Sequence, residues 1–120
     1  MAGEHDHLQY ECHTWLWNTY PQYRMLGHAN FNNLTTEEKS PDESRRKMAK
    51  LKSIGLVKGV LDYEFLFKGQ IYYFDFKIGE DKLSNAQKDF IYAIERQGGR
   101  WFEIRSLEQF KQIIDGIVNQ

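Results

Sequence analysis

Apolar residues recur at helical spacing in four parts of the chain and crowd into two aromatic runs near its middle. Leu8, Cys12, Trp15 and Leu16 stand at i, i+4, i+7 and i+8 and predict a helix over His7 to Thr19, ended by Pro21. Pro41-Asp42-Glu43-Ser44 reads as a helix start with acids in the first turn. That helix should run to Ser53 with Met48, Leu51 and Ile54 inward, and Gly55 should stop it. Ser84 and Ser106 are N-caps for two more helices. The first carries Phe90, Ile91 and Ile94 and closes at Gly98-Gly99; the second carries Leu107, Phe110, Ile113, Ile114 and Ile117. The aromatic runs, 61–67 and 71–78, are separated by Lys68-Gly69-Gln70, a tight-turn composition that predicts a hairpin. Arg100 to Ile104 is a further strand, and residues 23–31 include a short strand or irregular segment. Residues 34–42 read as a loop and residues 1–6 as a loose end. The order helix, helix, strand, strand, helix, strand, helix predicts a mixed sheet of the α/β or α+β class.

The hairpin carries the chemistry. With Lys68-Gly69 as a two-residue turn, Phe67 pairs with Gln70 and Asp62 lies opposite Asp75, their Cβ atoms ~5 Å apart. Lys77, two residues beyond Asp75, points to the same face. A three-residue turn would put the two aspartates on opposite faces. Like charges set opposite each other destabilise a sheet unless something compensates, and a divalent hard cation does so through carboxylate oxygens. Two acids around a metal beside a lysine suggest phosphodiester hydrolysis. The bland alternative is a hairpin with a scattered charged face.

Other residues join or leave this set on their spacing. Glu11 sits on or beside the apolar stripe of the first helix and needs a partner, either a salt bridge or a place as a third acid on the metal. Ser84-Asn85-Ala86-Gln87 is a capping box, which explains Gln87 by itself. Gln87 is also a site candidate because it opens the helix after the strand bearing Asp75 and Lys77. Gly59 lets a backbone or a phosphate approach closely. His5 and His7 have weak metal-ligand spacing near a loose end, and His28 reads as packing. Asn30, Asn32 and Asn33 suit a loop, where asparagine also contacts phosphate or base. Glu64 reads as a solvent-facing strand residue, and Trp15, Trp17, Tyr72, Tyr73 and Phe74 as core.

Composition narrows the frame. The 120 residues make one domain, and 41% hydrophobic with 15% aromatic content supplies a core. A net charge of −1 excludes a uniformly basic nucleic-acid binder. Arg45, Arg46, Lys47, Lys50, Lys52 and Lys58 nevertheless form a basic run with no acid among them, which reads as a phosphate-contacting surface or as a solvated helix face. Cys12 is the only cysteine, so no intrachain disulfide forms, and it reads as a small core residue. A reducing, cytoplasmic compartment is expected (nuclear for a eukaryotic source). No signal peptide is evident, no apolar run approaches the ~20 residues that span a bilayer, and no membrane partner is expected.

Taken together, the motifs resemble the VRR-NUC domain, a branch of the PD-(D/E)XK nuclease superfamily, from about Tyr10 to Ile117. Glu11 matches the acid of the family's first helix. Trp17-Asn18-Thr19-Tyr20-Pro21 and the asparagines after His28 look like its N-terminal half. Lys50-Leu51-Lys52 through Gly55, then Gly59-Val60-Leu61-Asp62, resembles the approach to the first catalytic acid. Asp75-Phe76-Lys77 matches the acid-x-lysine element, Leu83-Ser84-Asn85-Ala86-Gln87 the motif after it, and Arg105-Ser106-Leu107-Glu108 the closing strand and helix. Leu61 stands where the family usually has proline, and Asp75 where it commonly has glutamate.

The resemblance implies a restriction-endonuclease-like core, a mixed sheet with a catalytic hairpin flanked by helices, and a metal-dependent endonuclease acting on DNA. Asp62 and Asp75, with the Phe76 carbonyl and Glu11, would hold Mg²⁺ or Mn²⁺. Lys77 would orient the attacking water or neutralise charge on the phosphate, and Gln87 would position Lys77 or the nucleophile. Arg45, Arg46, Lys50, Lys52 and Lys58 would grip the DNA backbone. Small members of the family imply a homodimer and branched or junction DNA, in a bacterial or phage-encoded setting. The rival reading is a non-catalytic nucleic-acid-binding module that keeps the fold.

Overall fold

The computed structural model describes residues 3–30 and 40–120. The elements are α1 (Glu4–Thr19), a 3₁₀ turn (Pro21–Tyr23), β1 (Gly27–Ala29), α2 (Pro41–Ser53), β2 (Tyr63–Phe67), β3 (Gln70–Phe76), α3 (Asn85–Arg96), β4 (Arg100–Ile104) and α4 (Leu107–Val118). Four strands make one mixed sheet in the order β1-β2-β3-β4. The first two pairings are antiparallel, and β3 with β4 is parallel. A parallel pair needs a crossover, which α3 supplies. The protein is therefore α+β, a mixed sheet flanked by helices.

Lys68 (φ 49°) and Gly69 (φ 81°) both take left-handed backbone, the two-residue turn whose twist matches its flanking strands. Phe67 pairs with Gln70 and Tyr63 with Phe74, the expected register. Alternation sends Tyr63, Phe65, Phe67, Tyr72, Phe74 and Phe76 to one face, where all are buried. They pack with Leu8, Cys12 and Leu16 of α1 and Phe110, Ile114 and Ile117 of α4. Phe110 meets Trp15, Tyr63, Phe74 and Phe76 at ring-centroid distances of 5.2–6.2 Å. Burial of each such ring contributes roughly 1.5–3 kcal/mol, so this layer fixes where the hairpin lies. The opposite face carries Glu64, Tyr73, Asp75 and Lys77. There α3 covers Tyr73 with Phe90, ring centroids 5.1 Å apart.

Several expectations need correction. The first helix begins at Glu4, three residues before His7, so residues 4–6 are helical rather than loose. Ile54 is 72% exposed, because the C-cap residue lies past the helical stripe of α2, which buries no residue. Trp17 is 44% exposed, with the Arg24 guanidinium over its ring at 4.8 Å. The loop expected over 34–42 falls largely outside the described residues, as do Asn32 and Asn33, and α2 already starts at Pro41. Among the described residues, no helix is long and apolar enough to cross a membrane.

Candidate metal and phosphate site

The site is built at the end of the hairpin away from its turn. Asp62 immediately precedes β2. The Asn30 backbone N–H donates to the Asp62 carbonyl at 2.8 Å, and the Asn30 side chain to the Leu61 carbonyl at 3.2 Å. Leu61 is fully buried, so the backbone of this pair is held from both sides. The Asp62 carboxylate is itself buried, and its Oδ2 accepts the Phe76 N–H at 2.9 Å. Asp75, on β3, is 0% exposed. Its Oδ1 accepts from Gln87 Nε2 at 3.0 Å, and the Lys77 ammonium lies 2.7 Å from its Oδ2. Among the described residues, Asp75 Oδ2 is a buried oxygen whose partner is this ammonium, held as a counter-ion and not in aligned hydrogen-bond geometry.

Gln87 does both jobs its position allows. Ser84 Oγ accepts the Gln87 N–H at 3.1 Å and Gln87 Oε1 accepts the Ser84 N–H at 2.9 Å, closing the capping box. The same Oε1 accepts from Lys77 Nζ at 3.2 Å. The helix start is thereby tied to the buried ion pair. The loop before it is fastened by Arg105, whose guanidinium donates to the carbonyls of Gly79 and Asp81, each at 2.8 Å. Gly59 (φ +91°) brings the preceding loop onto α3, where an added Cβ would stand 2.2 Å from the Ala86 carbonyl oxygen. The close approach expected at this glycine is therefore to protein backbone.

The structure brings Asp62, Asp75, Lys77 and Gln87 together and adds His5. His5 Nε2 lies 3.1 Å from Asp62 Oδ2, and its ring stands edge-on to Phe76 with centroids 6.5 Å apart. The sequence signal for His5 is that it continues the Leu8–Cys12 stripe one turn back. Reading the N-terminus as loose hides it. Glu11 is left outside the cluster. It is six residues further along α1, ~9 Å along the axis and on a different side of the helix. Its carboxylate is 43% exposed and lies 3.6 Å from His7 Nε2 one helical turn back. Among the described residues, no three His, Cys, Asp or Glu side chains gather into a group able to hold a metal ion. The Phe76 backbone N–H donates to Asp62 Oδ2, and Phe76 pairs with Ile104 in the sheet. Arg45, Arg46 and Lys50 lie exposed on α2, with Arg45 paired to Asp42. Lys52 and Lys58 line a cavity of about 280 Å³ that has Gln87 in its wall.

The electrostatics follow from burying two acids side by side. Burial, and then the neighbouring Asp62 charge, push the Asp75 carboxyl up against the pull of Lys77. Burial also pushes Asp62 upward, but the His5 hydrogen bond and the Phe76 N–H outweigh it and leave Asp62 below the ordinary carboxylate range. The Asp62 hydrogen bond raises His5 to about 9. Two carboxylates side by side offer the hard oxygen ligands that Mg²⁺ or Mn²⁺ prefers. Compared with models of known protein families, with curated proteins and with solved structures, the chain finds no match in any of the three.

Proposed function

We propose that the protein is a metal-dependent endonuclease hydrolysing DNA phosphodiester bonds, with the end of the β2–β3 hairpin as its active site and Asp62 and Asp75 as the residues that hold Mg²⁺ or Mn²⁺. The observation that carries this reading is the buried Asp75 carboxylate beside Asp62, with the Lys77 ammonium 2.7 Å from its Oδ2. The resemblance of Asp62, Asp75-Phe76-Lys77 and Gln87 to the VRR-NUC motifs supports it. A divalent cation there supplies Lewis-acid polarisation of a phosphodiester and neutralises its charge. Lys77, moved from Asp75 Oδ2 toward the incoming phosphate, stabilises the charge that develops on the phosphoryl oxygens. Gln87 steers that ammonium through Oε1 while holding Asp75 through Nε2. The basic side chains of α2 give affinity through phosphates without reading sequence. Two copies acting together on the strands of branched DNA extend the proposal.

One observation favours a second reading, a nucleic-acid-binding module without activity. Lys77 and His5 already neutralise the two acids, and Glu11 supplies no third. Plasmid DNA and a four-way junction incubated with Mn²⁺ separate the two. Wild-type cutting that is lost in Asp75→Ala and Lys77→Ala supports the nuclease. Binding without cutting in any divalent metal supports the module, and cutting that survives both substitutions belongs to a contaminant.

A further inference from the structure

The paired register of β2 and β3 ends at Tyr63 and Phe74, and beyond it the Asp62 side chain stands in for a strand partner. Its Oδ2 accepts the Phe76 N–H at 2.9 Å and meets His5 Nε2 at 3.1 Å. Against a carboxylate oxygen that already accepts one N–H, Nε2 must carry a proton and donate. A carboxylate oxygen has two lone-pair sites, so these two donors fill Oδ2. The terminal torsion of an aspartate is broad, and one hydrogen bond fixes it poorly where two fix it well. His5 is placed for this by the core. It lies one turn before Leu8, whose burial with Cys12 and Leu16 seats α1 on the sheet. Its half-buried ring stands edge-on to Phe76, and the exposed Asp6 carboxylate lies 3.4 Å from its Nδ1. The side chain that completes the hold on Asp62 thus comes from outside the hairpin.

We infer that His5 is a positioning residue for the metal site: with the Phe76 N–H it holds Asp62 Oδ2, so that Oδ1 is the oxygen presented to a cation. The inference rests on the proposed reading of Asp62 and Asp75 as metal ligands and adds a residue that reading does not use. Groups that fix a ligating side chain are worth about 10–100-fold in metal affinity. The opposite role is a plug, in which His5 stands where the cation must bind and has to leave first. The two roles differ in sign. The Phe76 N–H decides between them, because a cation arriving at Oδ2 would meet the positive end of a backbone dipole aimed at the same oxygen. Oδ2 is therefore the held oxygen, and His5 holds it from the side of α1.

The test compares two uncharged replacements in the full chain at one pH, so that loss of the imidazole charge is common to both. His5→Gln keeps a side-chain N–H at about the reach of Nε2, and His5→Leu removes the donor while keeping the bulk. In chelator, NMR follows the Phe76 amide, which reports whether Asp62 stays in place without any metal. It should keep its wild-type shift in His5→Gln and move in His5→Leu, as Asp62 turns away from it. Calorimetric titration with Mn²⁺ should then show His5→Leu binding about tenfold more weakly than His5→Gln. Should His5→Leu lose its dispersed spectrum, His5→Ala takes its place in the same comparison. A Phe76 amide unmoved in the variant without a donor overturns the assignment. Equal Mn²⁺ affinity in the two variants removes this inference alone and leaves the metal reading standing. Tighter binding without the donor than with it also overturns the assignment, since that is the sign of a plug. A wild type that binds no Mn²⁺ removes the metal reading, and the inference falls with it.

Discussion

His5 and Asp62, 57 positions apart in the chain, meet through a 3.1 Å contact between Nε2 and Oδ2. The first turn of α1 is thereby tied to the first acid of the hairpin. The Asp62 hydrogen bond raises His5 to about 9 in the folded protein, from 6.5 when free. A raised histidine adds stability that is complete below pH 6.5 and is lost as pH climbs through 9. The metal-free protein should therefore lose thermal stability from pH 6.5 to 9. His5→Gln should flatten that fall, each kcal/mol appearing as about 4 °C in Tm. Melting curves across the interval check it, and an unaltered slope in the variant would remove His5 from the site.

On the proposed reading, the raised Asp75 carboxyl should set the pH dependence of metal binding. Burial and the Asp62 charge lift it to about 6, against 3.8 for a free aspartate. The sign opposes that of an ordinary salt-bridged acid. Ionising this group costs stability, and the cost grows as pH rises from about 4 to 6. A cation that binds the carboxylate must expel the proton first. Mn²⁺ affinity should rise about tenfold per pH unit below pH 6 and continue to rise more gently toward pH 9, where His5 gives up its proton beside Asp62. At a hundred times Kd, Mn²⁺ should stabilise the protein by about 2.7 kcal/mol. Asp75→Ala should abolish that stabilisation, which calorimetry with and without metal reads directly.

Much of this fold is written locally. The Lys68-Gly69 turn settles the register of β2 and β3, and the aromatic alternation settles which face is core, so Asp75 and Lys77 fall on a common face without any long-range information. Ser84 and Gln87 announce their capping box at fixed spacing. What escapes is tertiary. Whether α1 lends Glu11 or His5 to the hairpin depends on where that helix starts and how it rolls on Phe76, and a stripe tolerant of both does not say. Asn30 looks like a loop residue until β1 is seen beside Leu61 and Asp62. The cavity wall likewise needs α2 set against the start of α3, two elements whose sequences show no mutual pattern.

On the proposed reading, Lys77 should separate chemistry from metal holding. It is 7% exposed and pairs with Asp75 and Gln87, so its ammonium is a structural charge in the resting protein. Lys77→Met keeps the aliphatic length and removes the charge. Leaving Asp75 without its partner should cost about 3 kcal/mol, from the uncompensated buried carboxylate. Mn²⁺ should recover part of this loss, since it supplies the missing positive charge. Cutting should fall by at least about a hundredfold even at saturating metal. A variant that cuts like wild type would leave Lys77 a purely structural counter-ion.

Gly59 decides whether the start of α3 can sit where the site needs it. Its backbone is left-handed (φ +91°), and an added Cβ would stand 2.2 Å from the Ala86 carbonyl oxygen and 2.9 Å from the Gln87 nitrogen. Neither atom belongs to a flexible side chain, so the loop and the helix must part. Gly55 provides the matched control, with φ +113° and nothing within 4 Å of the added atom. Gly55→Ala should cost about 1 kcal/mol, from backbone strain alone. Gly59→Ala adds the clash to the same strain and should cost about 3 kcal/mol or more. Because Gln87 moves with its helix, this substitution should also loosen the contacts at Lys77 and Asp75 and weaken Mn²⁺ binding, while Gly55→Ala leaves it unchanged. Denaturant melts and metal titrations on the two variants read these differences. Equal losses from both alanines would mean that the loop does not brace the site.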